Sequence, residues 1–281
     1  NVPYEPKHYL KVNKSSVEEN DYIMVLGYPG RTNRYRTALE VENQFTWVYP
    51  KAKAYREELI EIIHNNSTEG SDARIKYEST LAGLANYAKN YGSMINSYNR
   101  GTMFERKQTL EQELANWISA DKQRKAKYDG ALQGLNKLIA QDQSTQARDL
   151  ILGYLRYNKM LNTANKLHRL AIEKQKDDVE RKKGYQERDF ARIEQSMKAV
   201  NRRFDETIDQ EMLFALLKHY SELPQSLKIE SIDKFFGITK NFDGKSVKQK
   251  LSEMYGSTKL ASLDTRLAWM NKSVNDFNNS K

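Results

Sequence analysis

The stretch "YESTLAGLANYAKNYGSMINSY", Tyr77–Tyr98, has the spacing of an amphipathic helix. Its apolar residues recur at alternating intervals of four and three positions: Tyr77, Leu81, Leu84, Ala88, Tyr91, Ile95 and Tyr98. This period matches the roughly 3.6 residues of a helical turn, so these side chains share one face. The stretch therefore predicts a long helix that packs on one side against other helices.

A second face of the same helix is small, polar and uncharged. Its positions follow the same rhythm off the apolar stripe: Ser79, Gly83, Asn86, Asn90, Ser93 and Ser97. A solvated helix face usually carries long charged residues, because Gly, Ser and Asn have lower helix propensity. The uncharged face suits the wall of a cleft or the close approach of another backbone. Ordinary helix packing through small residues is an equally open interpretation.

Helical periods continue on both sides of this stretch. A segment that begins near Thr37 leads to Pro50, a second helix carries "AKAYREELIEIIH", and the polar cluster Asn65–Asp72 is a loop that supplies an N-cap. After Ser144 the apolar positions form a heptad-like stripe: Leu150, Tyr154, Tyr157, Leu161, Ala164, His168 and Ala171. The pattern predicts a mainly α fold, an antiparallel helical bundle.

The first 36 residues have a different pattern. "YLKV", Tyr9–Val12, and "YIMVLGY", Tyr22–Tyr28, have the composition of β-strands, and Pro29-Gly30 suits the centre of a type II turn. A two-stranded hairpin alone is marginally stable in water, so we expect these strands to complete a larger sheet. The predicted division is a β segment at residues 1–36 and a helical domain at residues 37–281.

The composition excludes several classes of protein. The chain has 46 basic and 37 acidic residues, a net charge of +9 and no cysteine, which rules out disulfides and thiol catalysis. Basic and acidic residues alternate along the chain, whereas a nucleic-acid site usually gathers its basic residues in one patch. No apolar run approaches the roughly 20 residues of a membrane span. Because the chain opens on Asn1 and carries no signal peptide, we interpret it as a segment of a longer protein.

No motif in the sequence predicts an active site, a metal or a cofactor. His8, His64, His168 and His219 form no His-Glu-x-x-His pair, and no Gly-x-Ser-x-Gly loop presents a nucleophile. His168 falls on the apolar stripe after Ser144, which favours a packing role. The sequence therefore predicts no catalytic residue within the chain.

Three motifs carry a resemblance to a known family. "VPYEPKHYLKV", "DYIMVLGYPGRTNRYR" and "GYQERDFARIEQ…NRRFD" resemble the bacterial dipeptidyl peptidase 7 and 11 family of serine exopeptidases. "GYPGRT" and "GYQERD" are the most specific, and the resemblance extends over essentially the whole chain. In that family a helical domain is inserted into a chymotrypsin-like β-barrel, between the Asp and the Ser of a His-Asp-Ser triad.

The resemblance implies the role of a helical cap. The cap would restrict cleavage to dipeptides from a free N-terminus, while the catalytic Ser and His lie outside residues 1–281 and the N-terminal strands belong to the barrel edge. A family Asn that binds the substrate amine matches Asn86, and Asn90 is a weaker candidate for a supporting contact. The family pattern often has Trp two residues after this Asn, where this chain has Ala88.

The resemblance also implies partners and a compartment. It implies peptide substrates with a free N-terminus, the barrel domain of the same protein, a homodimer as a further candidate, no cofactor, and a periplasmic or cell-surface location. The main alternative is a non-enzymatic helical scaffold or adaptor. A basic module that binds nucleic acid or an anionic membrane is the third hypothesis.

Overall fold

The computed structural model describes residues 3–12, 14–24, 26–28, 33–238 and 242–280. The chain divides into two units, Asn1–Arg36 and Thr37–Lys281. The assignment of the first to a barrel and of the second to a cap remains a prediction.

The described part of the first unit contains no β-strand. The two predicted strands, Tyr9–Val12 and Tyr22–Tyr28, are therefore not formed in those residues, and Pro29-Gly30 lies outside them. Tyr9 is 78% exposed and Ile23 is 68% exposed. A strand pair gains little when its apolar side chains have nothing to pack against, which is the physical reason that the pattern alone does not produce a hairpin here.

The second unit is helical, as the periodicity predicts. Its α-helices within the described residues are α1 (Ala38–Asn43), α2 (Tyr49–Asn65), α3 (Asp72–Arg100), α4 (Met103–Ser119), α5 (Lys122–Tyr128), α6 (Ala131–Tyr154), α7 (Lys159–Glu173), α8 (Phe190–Val200), α9 (Glu206–Ser221), α10 (Glu230–Phe236), α11 (Gly244–Ser257), α12 (Leu263–Trp269) and α13 (Val274–Asn279). Short 3-10 turns lie at Leu155–Tyr157, Asp178–Glu180, Glu187–Asp189 and Gln225–Leu227.

The helical region begins at Thr37 with a capping box. Thr37 Oγ1 accepts from the N–H of Glu40 at 3.2 Å, and the Glu40 carboxylate accepts from the N–H of Thr37 at 2.9 Å. The segment that leads from Thr37 to Pro50 is helical, and the second helix follows it as predicted. A wider π-helical turn, Gln44–Val48, joins α1 to α2 immediately before this proline, which has no N–H to donate.

Helix α9 is the centre of the core. Its buried side chains cover most of its circumference: Ile208, Met212, Leu213, Leu216, Leu217 and Tyr220. Part of this set packs with Leu59 of α2 and Leu84 of α3, and the rest packs with side chains of α6, α10 and α11. The core therefore holds the pair α2–α3 on one side of α9.

The heptad-like stripe predicted after Ser144 does not run along one helix. The chain leaves α6 at Tyr154, makes a 3-10 turn and restarts at α7, where Asn158 Oδ1 caps the N–H of Leu161 at 2.8 Å. Asp209 of α9 accepts from the N–H groups of Lys159 and Met160 at 2.6 and 3.0 Å. These polar contacts satisfy the free N–H groups at the start of α7 and stabilise the break.

Candidate functional site

Helix α3 presents the two predicted ligands, Asn86 and Asn90. Its first half follows the apolar stripe, because Tyr77, Leu81, Leu84 and Ala88 are all buried. Tyr91, Ile95 and Tyr98, in the second half, are half-buried. The predicted amphipathic helix is confirmed, and its N-cap is Ser71, whose Oγ accepts from the N–H of Arg74 at 3.2 Å.

The small uncharged face of α3 is exposed along its whole length. Asn86 and Asn90 are both exposed on it, one helical turn and about 6 Å of rise apart. Within the described residues neither side chain is seen to make a hydrogen bond. A free amide can accept from an ammonium group through its oxygen and donate to a carbonyl through its NH2. The face can therefore offer two unused amides to a peptide.

A buried arginine holds α3 in place at the level of Asn86. Arg56 of α2 is 4% exposed, and its guanidinium carbon lies 5.2, 4.8 and 5.1 Å from the ring centroids of Tyr87, Tyr91 and Tyr154. It donates to the Ala52 carbonyl at 2.9 Å and to the Tyr154 hydroxyl. The three rings stabilise the cation from their faces, so α2, α3 and α6 meet at one group.

Further aromatic contacts fix the second half of α3 against the π turn and the first residue of α2. The Tyr49 and Tyr91 rings stack with centroids 4.7 Å apart, and the Phe45 and Tyr98 rings stack at the same distance. Burial raises the pKa of Tyr91, while the Arg56 charge acts in the opposite direction. The helix that carries Asn86 and Asn90 is therefore held rigidly on its inner side.

A cleft of about 1000 Å³ lies between α2 and α3. Its α2 wall contains Lys53, Glu57 and Ile60, with Lys53 and Glu57 paired at 2.6 Å. Its α3 wall contains Ser93 and Ser97 of the uncharged face and, beside them, Ala85, Ala88, Lys89, Gly92, Asn96 and Arg100. Asn86 and Asn90 do not line the cleft. The structure thus separates the two predicted amides from the neighbouring hollow, although one helix carries both.

Ala88 is a small wall residue of that cleft. It is 6% exposed, and it is the position at which the resemblance leads us to expect Trp. An indole at this position would occupy part of the space between α2 and α3. The departure from the pattern therefore coincides with the cleft.

A serine close to a lysine lies elsewhere in the second unit but is not arranged for catalysis. Lys166 Nζ lies 3.2 Å from Ser196 Oγ, and burial lowers the pKa of Lys166. The Ser196 hydroxyl, however, donates to the Ile193 carbonyl at 2.6 Å, as helical serines commonly do. Its proton is directed away from the lysine, so the geometry does not activate this serine as a nucleophile.

Two histidines, His168 and His219, contact structural neighbours. His219 Nε2 lies 2.6 Å from Glu58 Oε2, and the His168 ring packs edge-on against Phe277 with centroids 5.3 Å apart. Among the described residues, no group of three or more His, Asp or Glu side chains could hold a metal ion. No helix in the described part of the chain is long and apolar enough to cross a membrane.

Comparison with known proteins decides the family. The family model for peptidase S46 matches residues 1–281. The chain belongs to the peptidase S46 family. The resemblance read from the motifs is thereby confirmed, and the scaffold alternative is not favoured.

Curated relatives of this family member carry dipeptidyl peptidase names. An Asp/Glu-specific dipeptidyl-peptidase of Shewanella putrefaciens is 32% identical over 281 residues, all of this chain and 37% of the relative. A dipeptidyl-peptidase 7 of Capnocytophaga gingivalis is 31% identical over 59% of this chain and 23% of its own length. An Asp/Glu-specific dipeptidyl-peptidase of the same organism is 26% identical over 99% of this chain and 37% of its own length. The two Asp/Glu-specific relatives match this S46 chain over essentially all of its residues, yet the chain covers only 37% of the length of each.

The S46 motif "GYQERD" forms a tight, self-capped turn in the structure. Gly184 has a φ of 95°, which favours glycine. Asp189 Oδ2 accepts from the N–H of Gly184 at 3.0 Å and from that of Gln186 at 3.3 Å. The structure therefore explains part of the motif by local backbone geometry.

Arg56 and the α2–α3 cleft were not predicted from the sequence. Lys53, Arg56 and Glu57 lie within two turns of α2, but which of them faces α3 depends on how the helices pair. Lys89 and Arg100 flank the uncharged face and could have been found by extending the helical-wheel argument to its borders.

Proposed function

We propose that residues 37–281 form the helical cap domain of a serine dipeptidyl peptidase that removes dipeptides from the free N-terminus of peptides. Family membership and the names of the relatives support this activity for the longer protein. The nucleophile and its base would come from residues outside this chain. One observation carries the role of the cap: α3 exposes two amides on an uncharged face, and no hydrogen bond to either is seen in the described part of the chain.

In this proposal Asn86 binds the substrate amine. Its amide oxygen accepts a charge-assisted hydrogen bond from the ammonium group, and its NH2 donates to a peptide carbonyl. Asn90, one turn away, supports the substrate backbone. Arg56 and the tyrosines beneath α3 keep both amides at a constant distance from the cleaved bond, as an exopeptidase that measures two residues requires.

The N-terminal unit would complete the catalytic domain. We infer that Tyr9–Val12 and Tyr22–Tyr28 become strands when they pair with the edge of a β-barrel. The exposure of their apolar side chains supports this step, because a sheet edge would cover them. Hydrogen exchange on the full-length protein tests it: slow exchange in both segments is expected, and fast exchange in both would contradict it.

A periplasmic or cell-surface location and a homodimer also belong to the proposal. Both rest on the resemblance to the dipeptidyl peptidase 7 and 11 family. Cell fractionation should place the full-length protein outside the cytoplasm, and light scattering should give twice the chain mass. A cytoplasmic or monomeric protein would remove the respective part of the proposal.

The main test compares Asn86→Ala with Ser79→Ala in the full-length protein. Ser79 is exposed on the same face two turns earlier and serves as the matched control. With dipeptidyl-coumarin substrates, Asn86→Ala should lower kcat/KM by roughly 1–3 kcal/mol of transition-state stabilisation, while Ser79→Ala should leave it close to wild type.

A second readout separates amine binding from general damage. Wild type should strongly prefer a free N-terminus over an N-acetylated one, and Asn86→Ala should reduce that preference. An equal loss on both substrates would show that Asn86 does not bind the amine. If the wild type released no dipeptides, the proposed function itself would fall.

A further inference from the structure

The cleft between α2 and α3 carries two cations without an ionic partner among the described residues. Lys53 is paired with Glu57 at 2.6 Å across one turn of α2. Lys89 and Arg100 also line the cleft and are exposed, yet within the described residues neither is seen to form an ion pair. The charged lining thus has a net positive excess that faces open space.

The wall between these cations is open and polar. Ser93, Asn96 and Ser97 place small hydrogen-bonding groups along α3 between Lys89 and Arg100. At Gly92 an added Cβ would lie 3.4 Å from the end of the Lys53 side chain, so Lys53 reaches across the cleft to α3 there. A volume of about 1000 Å³ is large enough for several residues of an extended peptide.

The position of the cleft relative to Asn86 suggests which part of a peptide it meets. Along α3, Lys89 lies about 4.5 Å and Arg100 about 21 Å beyond Asn86, at 1.5 Å per residue. An extended peptide advances about 3.3 Å per residue. A chain that is held by its ammonium group at Asn86 and runs along α3 toward Arg100 would reach the level of Lys89 between its second and third residues and the level of Arg100 at about its seventh. From the third residue on, this chain lies beyond the bond that a dipeptidyl peptidase cleaves.

We propose that the α2–α3 cleft binds the leaving part of the substrate and favours acidic side chains there. This inference rests on the proposed function and deepens it. Carboxylates at the third to seventh positions would pair with Lys89 and Arg100, while the small polar side chains between them contact the peptide backbone. The long-range part of this attraction should weaken as salt rises.

The test uses the full-length protein and heptapeptides that share their first two residues. The five following residues are all Glu, all Ala or all Lys. Wild type should cleave the Glu series with about tenfold higher kcat/KM than the Lys series at low salt, a difference of about 1.4 kcal/mol. The doubly substituted Lys89→Glu/Arg100→Glu protein should reverse this order. Lys137→Glu, an exposed substitution on α6 outside the cleft, should keep the wild-type order.

A dipeptidyl-coumarin substrate monitors the integrity of each variant, because it has no peptide beyond the cleaved bond. The Glu-to-Lys ratio is therefore read alongside coumarin turnover. An unchanged ratio in the double variant would overturn the inference, and so would equal rates of wild type on all three series. If Asn86→Ala impairs coumarin turnover while the peptide charge has no effect, the inference alone fails. If no series releases a dipeptide, the proposed function fails first.

Discussion

Glu58 of α2 and His219 of α9 lie 2.6 Å apart, measured from Oε2 to Nε2. On the other side of the imidazole, Glu222 lies 3.7 Å from Nδ1, and the Tyr55 ring packs with centroids 4.7 Å away. The hydrogen bond from Glu58 is the largest cause that raises the pKa of His219, and burial opposes it. The protonated imidazole thus joins the helix beside the cleft to the central helix.

This pair should make the free energy of unfolding fall as pH rises above about 6.5, the pKa of an unfolded histidine. Below the unfolded pKa of about 6.5 the imidazole is protonated in both states, so the full contribution is present. As pH rises through the raised folded pKa, the folded chain loses this proton and the contribution disappears. Because the pair is partly exposed, we expect a loss of about 1 kcal/mol or less. Urea unfolding at a series of pH values measures it.

The substitution His219→Gln should remove this contribution from the dependence of the free energy of unfolding on pH. His64→Gln, an exposed substitution on α2, is the control and should keep the wild-type slope. Parallel pH profiles for wild type and His219→Gln would show that other groups determine the dependence.

The Arg56 cluster consists of Arg56 and the three tyrosine rings around its guanidinium. It predicts that replacing Arg56 by Lys destabilises the protein more than replacing it by Met. Arg56→Met keeps an apolar stem of similar reach and removes a buried cation that has no carboxylate partner among the described residues. Arg56→Lys keeps a charge but loses the planar guanidinium that lies on Tyr87, Tyr91 and Tyr154. A buried ammonium without these contacts is the costlier outcome. We therefore expect Arg56→Lys to lower the free energy of unfolding by roughly 1–3 kcal/mol and Arg56→Met to lower it less.

Chemical unfolding of the two variants and wild type decides the order. Near-UV circular dichroism of the tyrosines gives an independent signal, since three of them contact the guanidinium. If Lys proved better tolerated than Met, the charge itself and not the planar stacking would stabilise the cluster.

Among the polar residues of the core, Asp209 should cause the largest loss of stability when it is substituted. It is fully buried, and besides the N–H groups of Lys159 and Met160 it accepts from the Tyr255 hydroxyl at 2.7 Å. Burial is the largest influence on the Asp209 carboxyl and raises its pKa, while these donors act in the opposite direction. In Asp209→Asn, the NH2 would face one of these donors, and each unsatisfied donor costs roughly 1–3 kcal/mol.

The measurement is again the free energy of unfolding. The exposed Asp142→Asn on α6 makes the same chemical change without buried donors and should be nearly neutral. Equal effects of the two substitutions would show that the α7 N-terminus does not depend on Asp209.

The helices were predictable because their signals are local. The apolar period of Tyr77–Tyr98 and the caps at Thr37 and Ser71 determine α1 and α3 regardless of distant contacts. The π turn Gln44–Val48 between α1 and α2 was not predicted, since it has no clear sequence signature. The end of α6 at Tyr154 was missed for another reason. The restart of the chain at α7 is stabilised by Asp209, which lies fifty positions after Lys159.

The candidate site was predictable only as a helix face. Asn86 and Asn90 were placed on the exposed side of α3 by periodicity and by family resemblance together, and their role in binding remains a prediction. The cleft beside them requires knowing that α2 packs against α3 and brings Lys53 opposite Gly92. That contact depends on the shared core around α9, which no local pattern specifies.

Glu173, at the end of α7, provides the last test, of stability in acid. Its side chain is 0% exposed and accepts from the Lys182 N–H at 3.0 Å, from Lys176 Nζ at 2.9 Å and from Arg169 Nε at 2.8 Å. The Lys182 hydrogen bond is the largest cause that lowers the pKa of Glu173 from 4.5 to about 2. Its contribution to stability is present above the unfolded pKa and is lost as pH falls through the folded one. Wild type should therefore lose stability between pH 4.5 and 2, and Glu173→Gln should be less stable at neutral pH and show a shallower decline.

The control is Glu113→Gln, an exposed substitution on α4, which should follow the wild-type profile. If the profile of Glu173→Gln were as steep as that of wild type, this carboxylate would be excluded as an acid-sensitive anchor of the loop before Gly184.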